Sequence, residues 1–410
     1  MKKSVAILSL ISSLTFTPSF AADVPTKFSF TGSGYGHGVG LSQIGGRAMA
    51  MAGESSTAIL SYYFPGSQVV TTSVNPSLRI NIGHLLTTLK LQTNSTGGVF
   101  NLYFGDLAET ATALPVHTFA GKQSLNFSIA GSKILATSAH MPAPHTATRF
   151  TLRWTGTRAI DGPPTLMNVT HTGKTTKYRH GQIQLRLVND KKLGKRIALT
   201  NTVRLEDEYL YGVSEVPSSW PNEMLDAQVI ASRSYALAKG AKIRSACNCN
   251  LYGSISDQLF AGYSKESEKT FGALWKAAVN RTVGKILTHN GTVIAPFFTS
   301  STGGVTETAV NAWGSELAYT VSVPDSASAR MDINPRYATW QKVIDQKVIA
   351  AAFGLVDVVS LEILSRNTTG TVGLIRATSS AGITVEIRGE TFRSRTLLPS
   401  AWFSLSEGLS

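Results

Sequence analysis

One glutamate, Glu215 in the stretch YGVSEVPSSWP, has the surroundings that acid catalysis needs. Pro217 and Trp220 follow it closely, and a helical pattern begins after Pro221. Apolar surroundings favour the neutral form of a carboxyl group, and a neutral carboxyl group can protonate a leaving oxygen near neutral pH. Glu215 is therefore the candidate general acid. The alternative is that it is an ordinary solvated charge in a loop.

A second candidate group is His37, which stands among glycines at positions 32, 34, 36, 38 and 40. Glycine is kept where φ is positive or where another group must approach the backbone closely. The dinucleotide pattern G-x-G-x-x-G fails in every register here, and the phosphate-binding pattern G-x-x-x-x-G-K-[ST] is absent. The glycines therefore indicate a close approach other than that of a nucleotide.

A third polar stretch, TSSTGG at 299–304, carries four successive hydroxyl side chains before two glycines. Such hydroxyls can hydrogen-bond to sugars, and they equally form plain turns. Other catalytic signatures are missing, because the chain has no H-E-x-x-H and no G-x-S-x-G motif and its eight histidines are dispersed.

The elements that must position these groups follow from the apolar periodicity. Residues 26–70 indicate a short strand, the glycine loop and helical turns, and residues 77–200 show short period-two strands. After Pro221, apolar and small residues recur at helical spacing: Met224, Ala227, Ala231, Tyr235 and Ala238. Strands return towards the C-terminus. The patterns predict a β-rich α+β fold with a buried Ala-rich helix after the loop of Glu215.

The N-terminus predicts export. Lys2 and Lys3 precede an apolar run, and Ser19 and Ala21 stand at positions −3 and −1 of a cleavage site. Residues 1–21 are thus expected to be a signal peptide, with an uncleaved anchor as the alternative, and no transmembrane segment is expected after cleavage. The formal net charge of +13 suggests an anionic partner. For an exported protein, this favours cell-wall polymers or lipid headgroups over nucleic acid.

The two cysteines, Cys247 and Cys249, are separated by one residue. An exported protein permits a disulfide between them. Free thiols are an alternative, as is a metal site, which would need further ligands because two cysteines do not complete a tetrahedral zinc site.

The segment around Glu215 resembles the core of the SpoIID/LytB family (stage II sporulation protein D). The residues that carry the resemblance are Tyr-Leu-x-Gly-Val at 209–213, Glu-x-Pro at 215–217, Ser-Trp-Pro at 219–221, Ala-Gln at 227–228 and Arg-x-Tyr-Ala at 233–236. Three further stretches are similar to family signatures: GSGYGHGVGLSQIGGRAMAMAG, SDQLFAG and PFFTSSTGGVTET. In the family the Gly-His-Gly-Val-Gly signature usually follows the catalytic glutamate, whereas here it precedes it.

The resemblance implies a secreted lytic transglycosylase that acts on peptidoglycan glycan strands. Glu215 would act as general acid and then as base, and the 6-hydroxyl of muramic acid would close a 1,6-anhydro ring, so that no second carboxylate is obligatory. The residues expected to bind substrate are His37, Gln43, Arg233, Gln258, Ser300 and Ser301. Some family members carry a Cys/His metal cluster near the position of Cys247 and Cys249. No histidine lies nearby here, so neither a metal nor a cofactor is expected.

Three positions depart from the family's usual residues: Asp226 replaces Lys, Phe297 replaces Tyr and Thr299 replaces His. They leave room for a second hypothesis, a non-catalytic LytB-type enhancer that binds the cell wall and stimulates an amidase. An adhesin or wall scaffold is a third hypothesis, which would not explain the segment around Glu215. The expected organisation is a signal peptide at 1–21, a Gly-His-Gly-Val-Gly cleft segment at 22–70, a β-rich region at 71–200, the SpoIID core at 201–325 and a C-terminal β-rich segment at 326–410.

Overall fold

A computed structural model describes residues 24–406, which form parts of two compact units. The larger unit comprises Gly32–Trp340, and the smaller combines the described residues up to Thr31 with those from Gln341 onward. The predicted signal peptide, 1–21, lies outside the described residues. Within 24–406, no helix is both long and apolar enough to span a bilayer.

The strands, numbered in chain order, are β1 Lys27–Gly32, β2 Leu41–Ser42, β3 Ser67–Thr71, β4 Ser77–Leu86, β5 Thr88–Thr93, β6 Val99–Phe104, β7 His117–Ala120, β8 Ser124–Ala130, β9 Lys133–Thr137, β10 His145–Ala147, β11 Arg149–Trp154, β12 Met167–His171, β13 Lys174–Tyr178, β14 Gln182–Asp190, β15 Gly194–Arg204, β16 Leu251–Tyr252, β17 Lys285–His289, β18 Thr292–Val293, β19 Phe298–Thr299, β20 Trp340–Asp345, β21 Ser360–Arg366, β22 Val372–Thr378, β23 Thr384–Arg388 and β24 Phe403–Ser406. The helices are α1 Gln43–Met51, α2 Ser56–Tyr63, α3 Leu210–Gly212, α4 Asn222–Lys239, α5 Tyr263–Glu266, α6 Gly272–Arg281, α7 Ala309–Trp313, α8 Gln346–Phe353 and α9 Gly389–Thr396. A π-helical turn, Leu205–Tyr209, precedes α3, and a 3₁₀ turn covers Ser326–Ala329.

Two large sheets of the larger unit share one hydrophobic core. The seven-stranded sheet has the order β16-β4-β15-β14-β11-β6-β7, and the six-stranded sheet has the order β10-β9-β8-β5-β12-β13. Strands β14 and β15 are antiparallel neighbours from Gln182 opposite Thr202 to Asp190 opposite Gly194. Because alternate side chains of a strand point to one face, Phe150 and Leu152 of β11 meet Leu125 and Phe127 of β8 in this core.

Helix α4 connects the sheet core to the segment that carries the glycines. It begins after Pro221, and Gly240 follows its last residue. Every residue from 224 to 236 is buried. Its Leu225 and Val229 belong to the sheet core, whereas Ala227 and Ala231 belong to a second core formed with α2 and β2. Small alanine side chains let neighbouring elements approach on more than one side.

The smaller unit contains the sheets β20-β1-β24 and β21-β22-β23 together with α8 and α9. Its centre is aromatic, because the rings of Phe30, Phe392 and Phe403 lie 5.5–5.7 Å from one another, centroid to centroid. The predicted α+β class is confirmed. The division into compact units falls at 31/32 and 340/341, whereas the segments expected from the sequence were divided at 70, 200 and 325.

Cys247 and Cys249 are joined in a disulfide. The bonded pair lies in a tight hairpin in which the backbones of Arg244 and Cys249 exchange hydrogen bonds. Both cysteines are fully buried. Of the alternatives left by the sequence, the structure therefore shows the disulfide.

Candidate functional site

Glu215 lies in the loop between α3 and α4, and it is half-buried. The loop runs beside the segment 258–260, because Ser214 N–H donates to the carbonyl of Leu259 at 2.8 Å. In return, Leu259 N–H donates to Oε1 of Glu215 at 2.6 Å. Burial raises the pKa of Glu215 to about 7, and the Leu259 N–H bond partly opposes this rise. The carboxyl group can therefore hold or release a proton near neutral pH.

The glycine-rich segment reaches the loop of Glu215 through Gln43. Its Nε2 donates to the Glu215 carbonyl at 3.3 Å and to Oε1 of Gln228 on α4 at 3.2 Å. Gln43 is 7 % exposed and is the first residue of α1. Gln43, one of the residues expected to bind substrate, thus holds the backbone of Glu215 in place by a hydrogen bond.

A buried lysine fixes the next residue of the loop. Lys265 is 3 % exposed, and its Nζ donates to the Val216 carbonyl at 2.7 Å. The ammonium group also pairs with Glu268 at 3.2 Å and lies over the Trp275 ring, 5.0 Å from its centroid. Burial lowers the pKa of Lys265, and Glu268 opposes that effect. The loop of Glu215 is thus held from two separate parts of the chain, by Gln43 and by Leu259 together with Lys265.

The glycine-rich segment 32–40 packs against the loop 297–307. Strand β2 pairs in parallel with β19, with Leu41 opposite Phe298. The backbones of Tyr35 and Ser301 exchange hydrogen bonds of 3.0 and 3.1 Å. The hydroxyl stretch noted in the sequence is therefore the partner of the glycine stretch.

The glycines are explained by this contact between two loops. Gly36 has a φ of 114°, and a Cβ there would lie 2.1 Å from Oγ1 of Thr299. Gly40 has a φ of 76°, and a Cβ there would lie 2.2 Å from the carbonyl oxygen of Phe297. Residues other than glycine rarely adopt such φ values and would clash here. The close approach indicated by the sequence is made by the protein's own backbone.

We expect Gly40→Ala to lower the free energy of unfolding by about 2–4 kcal/mol, because backbone strain and a clash with Phe297 add together. Gly53→Ala is the matched control, since Gly53 has a φ of 95° but nothing within 4 Å of a Cβ. The control should lose only about 1–2 kcal/mol from strain. Urea unfolding measures both, and equal losses would contradict the account of the Gly40 contact.

An aromatic platform, defined as His37, Phe297 and Trp313, lies beside this contact. The ring of Trp313 is 5.0 Å from that of His37 and 4.8 Å from that of Phe297, centroid to centroid. Trp313 is 40 % exposed, whereas His37 and Phe297 are half-buried. Nδ1 of His37 accepts the N–H of Val39 at 3.0 Å, so that nitrogen is unprotonated in this arrangement.

The platform is connected to Glu215 through Tyr235 on α4. The Tyr235 ring lies edge-on to Phe297, 6.0 Å between centroids. Burial raises the pKa of Tyr235, and the charges of Asp257 and Glu215 raise it further, which places Tyr235 within electrostatic reach of Glu215. Exposed aromatic faces and a titratable carboxyl group therefore belong to one region of the larger unit.

Arg233, one of the residues expected to bind substrate, is instead a core residue. Its side chain is fully buried and forms a bidentate ion pair with Glu206, both bonds being 2.8 Å. A third nitrogen, Nη1, donates to the Lys285 carbonyl at 3.1 Å. The donor nitrogens of Arg233 are therefore used inside the fold in this structure.

Gln258 is likewise fully buried. It accepts from the Tyr209 hydroxyl at 2.8 Å and donates to the Ser232 carbonyl at 3.3 Å. Through these two bonds it supports the segment that contacts Glu215. Ser301 is 1 % exposed, and its Oγ has no hydrogen-bond partner within 24–406. Ser300 is half-buried, and its carbonyl accepts Ile44 N–H at 3.0 Å.

The three departures from the family pattern have structural roles. Asp226 forms a bidentate pair with Arg281, the shorter contact being 2.7 Å. Oγ1 of Thr299 donates to the Tyr35 carbonyl at 3.0 Å. Phe297 belongs to the aromatic platform. Asp226 and Thr299 thus have hydrogen-bond partners within the protein, and Phe297 contributes an aromatic ring to the platform.

The carboxylates close to this region are also paired. Asp257 accepts from both terminal nitrogens of Arg244 at 2.7 and 2.9 Å and from the Tyr235 hydroxyl at 2.9 Å. Across the described ranges, no three His, Cys, Asp or Glu side chains converge as metal ligands. Among the residues 24–406, by contrast, Glu215 has no lysine, arginine or histidine at ion-pair distance.

Sequence reasoning missed Lys265, the Leu259 amide and Trp313. The amide has no side-chain signature, and Trp313 belongs to no motif. Lys265 could have been singled out only as a lysine close to an apolar helix, which is a weak signal.

Comparison with known proteins fits this geometry. Residues 194–289 match the family model described as "Stage II sporulation protein". A 113-residue stretch is 32 % identical to the "Amidase enhancer" of Bacillus subtilis (strain 168), covering 28 % of this chain and 14 % of that protein. The "Stage II sporulation protein D" of the same organism is 33 % identical over 129 residues, which cover 28 % of this chain and 37 % of that protein. The protein of that name from Bacillus amyloliquefaciens is 32 % identical over 130 residues, with the same coverage.

The chain thus spans between about one seventh and somewhat more than a third of the length of these relatives. The family match runs from β15 of the seven-stranded sheet to β17 and includes the loop of Glu215 and α4. Over this segment the chain is similar to the SpoIID/LytB family.

Proposed function

We propose that this protein acts on the bacterial cell wall and cleaves peptidoglycan glycan strands as a lytic transglycosylase. The observation that carries the proposal is the Glu215 carboxyl group, half-buried, with a pKa raised to about 7 and held in a loop fixed by Gln43 and Lys265. Similarity to the SpoIID/LytB family supports a cell-wall role.

In the proposed mechanism, neutral Glu215 first protonates the oxygen of the glycosidic bond, and the bond to the anomeric carbon of muramic acid breaks. The carboxylate then takes the proton from the 6-hydroxyl of the same sugar, whose oxygen bonds to the anomeric carbon. The proton returns to Glu215, and no water is consumed. The scheme needs one titratable carboxyl group. This suits a site where Asp226 and Asp257 are paired with arginines.

The experiment is mass spectrometry of purified glycan strands after incubation with the mature chain. We expect 1,6-anhydromuramic ends, which are lighter by one water than reducing ends. Reducing ends would instead indicate hydrolysis by water, which requires a second base.

The rate of cleavage should depend on the protonation of Glu215. A carboxyl group whose pKa is raised to about 7 is neutral below that pH and charged above it. The acid step therefore loses its proton donor as the pH rises, and kcat/KM should fall about tenfold per pH unit above roughly pH 7 to 8. A profile measured from pH 5 to 9 tests this, and a constant rate across that range would contradict the assigned role.

The second candidate function is that of an amidase enhancer. The specific observation is the similarity to the Bacillus subtilis protein of that name. One measurement distinguishes the two functions. An enhancer would stimulate an added cell-wall amidase and yield no anhydro product of its own.

We also propose that the protein works outside the cytoplasm, at the cell wall. The support is the predicted signal peptide at 1–21 and the Cys247–Cys249 disulfide, since disulfides persist in oxidising compartments. Release of the mature chain beginning after Ala21 into the culture medium or wall fraction would test this placement.

A further inference from the structure

An exposed cation adjoins the aromatic platform. Lys239 is the last residue of α4, and its Nζ lies 5.4 Å from the centroid of the Phe297 ring. Lys239 stands one helical turn after Tyr235, so both side chains leave the same face of the helix. Within 24–406, Lys239 has no carboxylate at ion-pair distance. The platform thus combines aromatic rings with an unneutralised positive charge on the side of Tyr235.

Lys239 also lines a cavity. The cavity has a volume of about 410 Å³ and lies between the end of α4, the β17–β18 hairpin and the loop 316–319. Its polar lining comes from Lys239, His289, Thr292, Glu316 and Tyr319. Glu316 is exposed and brings one negative charge to the same space. The volume is sufficient for a substituent on a sugar ring.

We propose that Lys239 and the aromatic platform form a subsite for a sugar ring that carries a carboxylate. This inference rests on the proposed function and adds a specificity to it. Aromatic faces pack against the apolar faces of a sugar ring, and a lysine ammonium group pairs with a carboxylate as a point charge. In a peptidoglycan strand the carboxylate belongs to muramic acid, either on its free lactyl group or on an attached peptide.

The subsite would distinguish peptidoglycan from a polymer of N-acetylglucosamine alone. Both polymers offer the same ring faces to Trp313 and Phe297, but only muramic acid offers an anion to Lys239. The rings would supply general affinity for glycan, and Lys239 would supply the choice of sugar. Glu316 opposes an anion in the cavity, so the two charges have opposite predicted effects.

The test is a binding measurement by calorimetry with the Glu215→Gln chain, in which the ligand stays intact. Four tetrasaccharides serve as probes: alternating N-acetylglucosamine and N-acetylmuramic acid with free lactyl carboxylates, the same with lactyl carboxamides, the same with peptide stems, and chitotetraose. We expect the free carboxylate form to bind about two- to fivefold more tightly than the carboxamide form. Lys239→Gln should abolish that difference, and Glu316→Gln should enlarge it.

Matched controls are Lys242→Gln and Glu54→Gln, which make the same charge changes at exposed positions. They should leave the affinities unchanged, and Trp313→Ala should weaken all four probes roughly equally. A Lys239-dependent gain seen only with peptide stems would support the subsite and assign the carboxylate to the stem. The subsite would be overturned if the preference for the carboxylate form survived Lys239→Gln. It would also be overturned if Lys239→Gln weakened binding of the carboxylate and carboxamide forms equally.

The result also separates the two proposals. Anhydro product from the unmodified chain together with equal affinities for all probes overturns the subsite alone. If no product is formed and no probe binds, the proposed function is overturned together with the subsite. Thermal unfolding of each variant shows that the affinities refer to folded protein.

Discussion

Glu215→Gln should lower the rate of glycan cleavage by about 10²–10⁴-fold, because the amide keeps the shape of the side chain but has no proton to transfer. The fold should survive, since the amide oxygen can still accept the N–H of Leu259, which now bonds to Oε1 at 2.6 Å. The measurement is the amount of 1,6-anhydro product per unit time, with thermal unfolding recorded on the same samples.

Glu208→Gln is the matched control. Glu208 is 4 % exposed and pairs with Arg158 at 2.7 Å, so its amide should lower stability while leaving the chemistry of a folded molecule unchanged. Undiminished product from Glu215→Gln would remove Glu215 from the mechanism. Absence of product from every form, together with stimulation of an amidase, would establish the enhancer function instead.

Arg233→Met should lower the free energy of unfolding by about 3–5 kcal/mol, since it leaves the buried carboxylate of Glu206 without its cation. The pair is closed to solvent on the arginine side, where the exposed fraction is 0 %. The measurement is urea unfolding. Arg281→Met is the control, because that arginine is 41 % exposed and its pair with Asp226 should contribute less than about 1 kcal/mol.

The double variant Glu206→Met/Arg233→Met tests the cause. Replacing both members removes the unpaired charge, so much of the lost stability should return. If Arg233→Met were to weaken glycan binding while stability stayed unchanged, the assignment of Arg233 to the core would fail.

Sequence periodicity predicts local structure well where apolar and small residues recur at a regular spacing. The helix after Pro221 is an example: its apolar and small residues at helical spacing become a helix buried from 224 to 236. Glu215 could also be singled out, because its neighbours in the chain are apolar. What decides its pKa, however, includes the Leu259 N–H, and no pattern of residue types shows which distant amide will point at a carboxylate.

Residue roles taken from a motif are less secure than element types. Arg233 lies in a family signature, and a signature is equally consistent with a residue that binds ligand and one that binds Glu206. The difference depends on which side of α4 is covered, and this helix is covered on all sides between 224 and 236. The same ambiguity applies to the glycine stretch. Glycines are needed whether the group that approaches the backbone closely is a ligand or the side chain of Thr299.

The docking of the glycine segment has a consequence for the order of folding. Leu41 pairs with Phe298, and Gln43 holds the carbonyl of Glu215, so these contacts join parts of the chain that are far apart in sequence. Contacts of long sequence separation form late, because closing a large loop costs entropy before any bond is gained. In a chain that emerges N-terminus first, residues 32–51 therefore cannot make these native contacts until the loop at 297–307 has emerged. The carboxyl group of Glu215 would therefore reach its final surroundings only after residue 307, about three quarters of the way along the chain, has emerged.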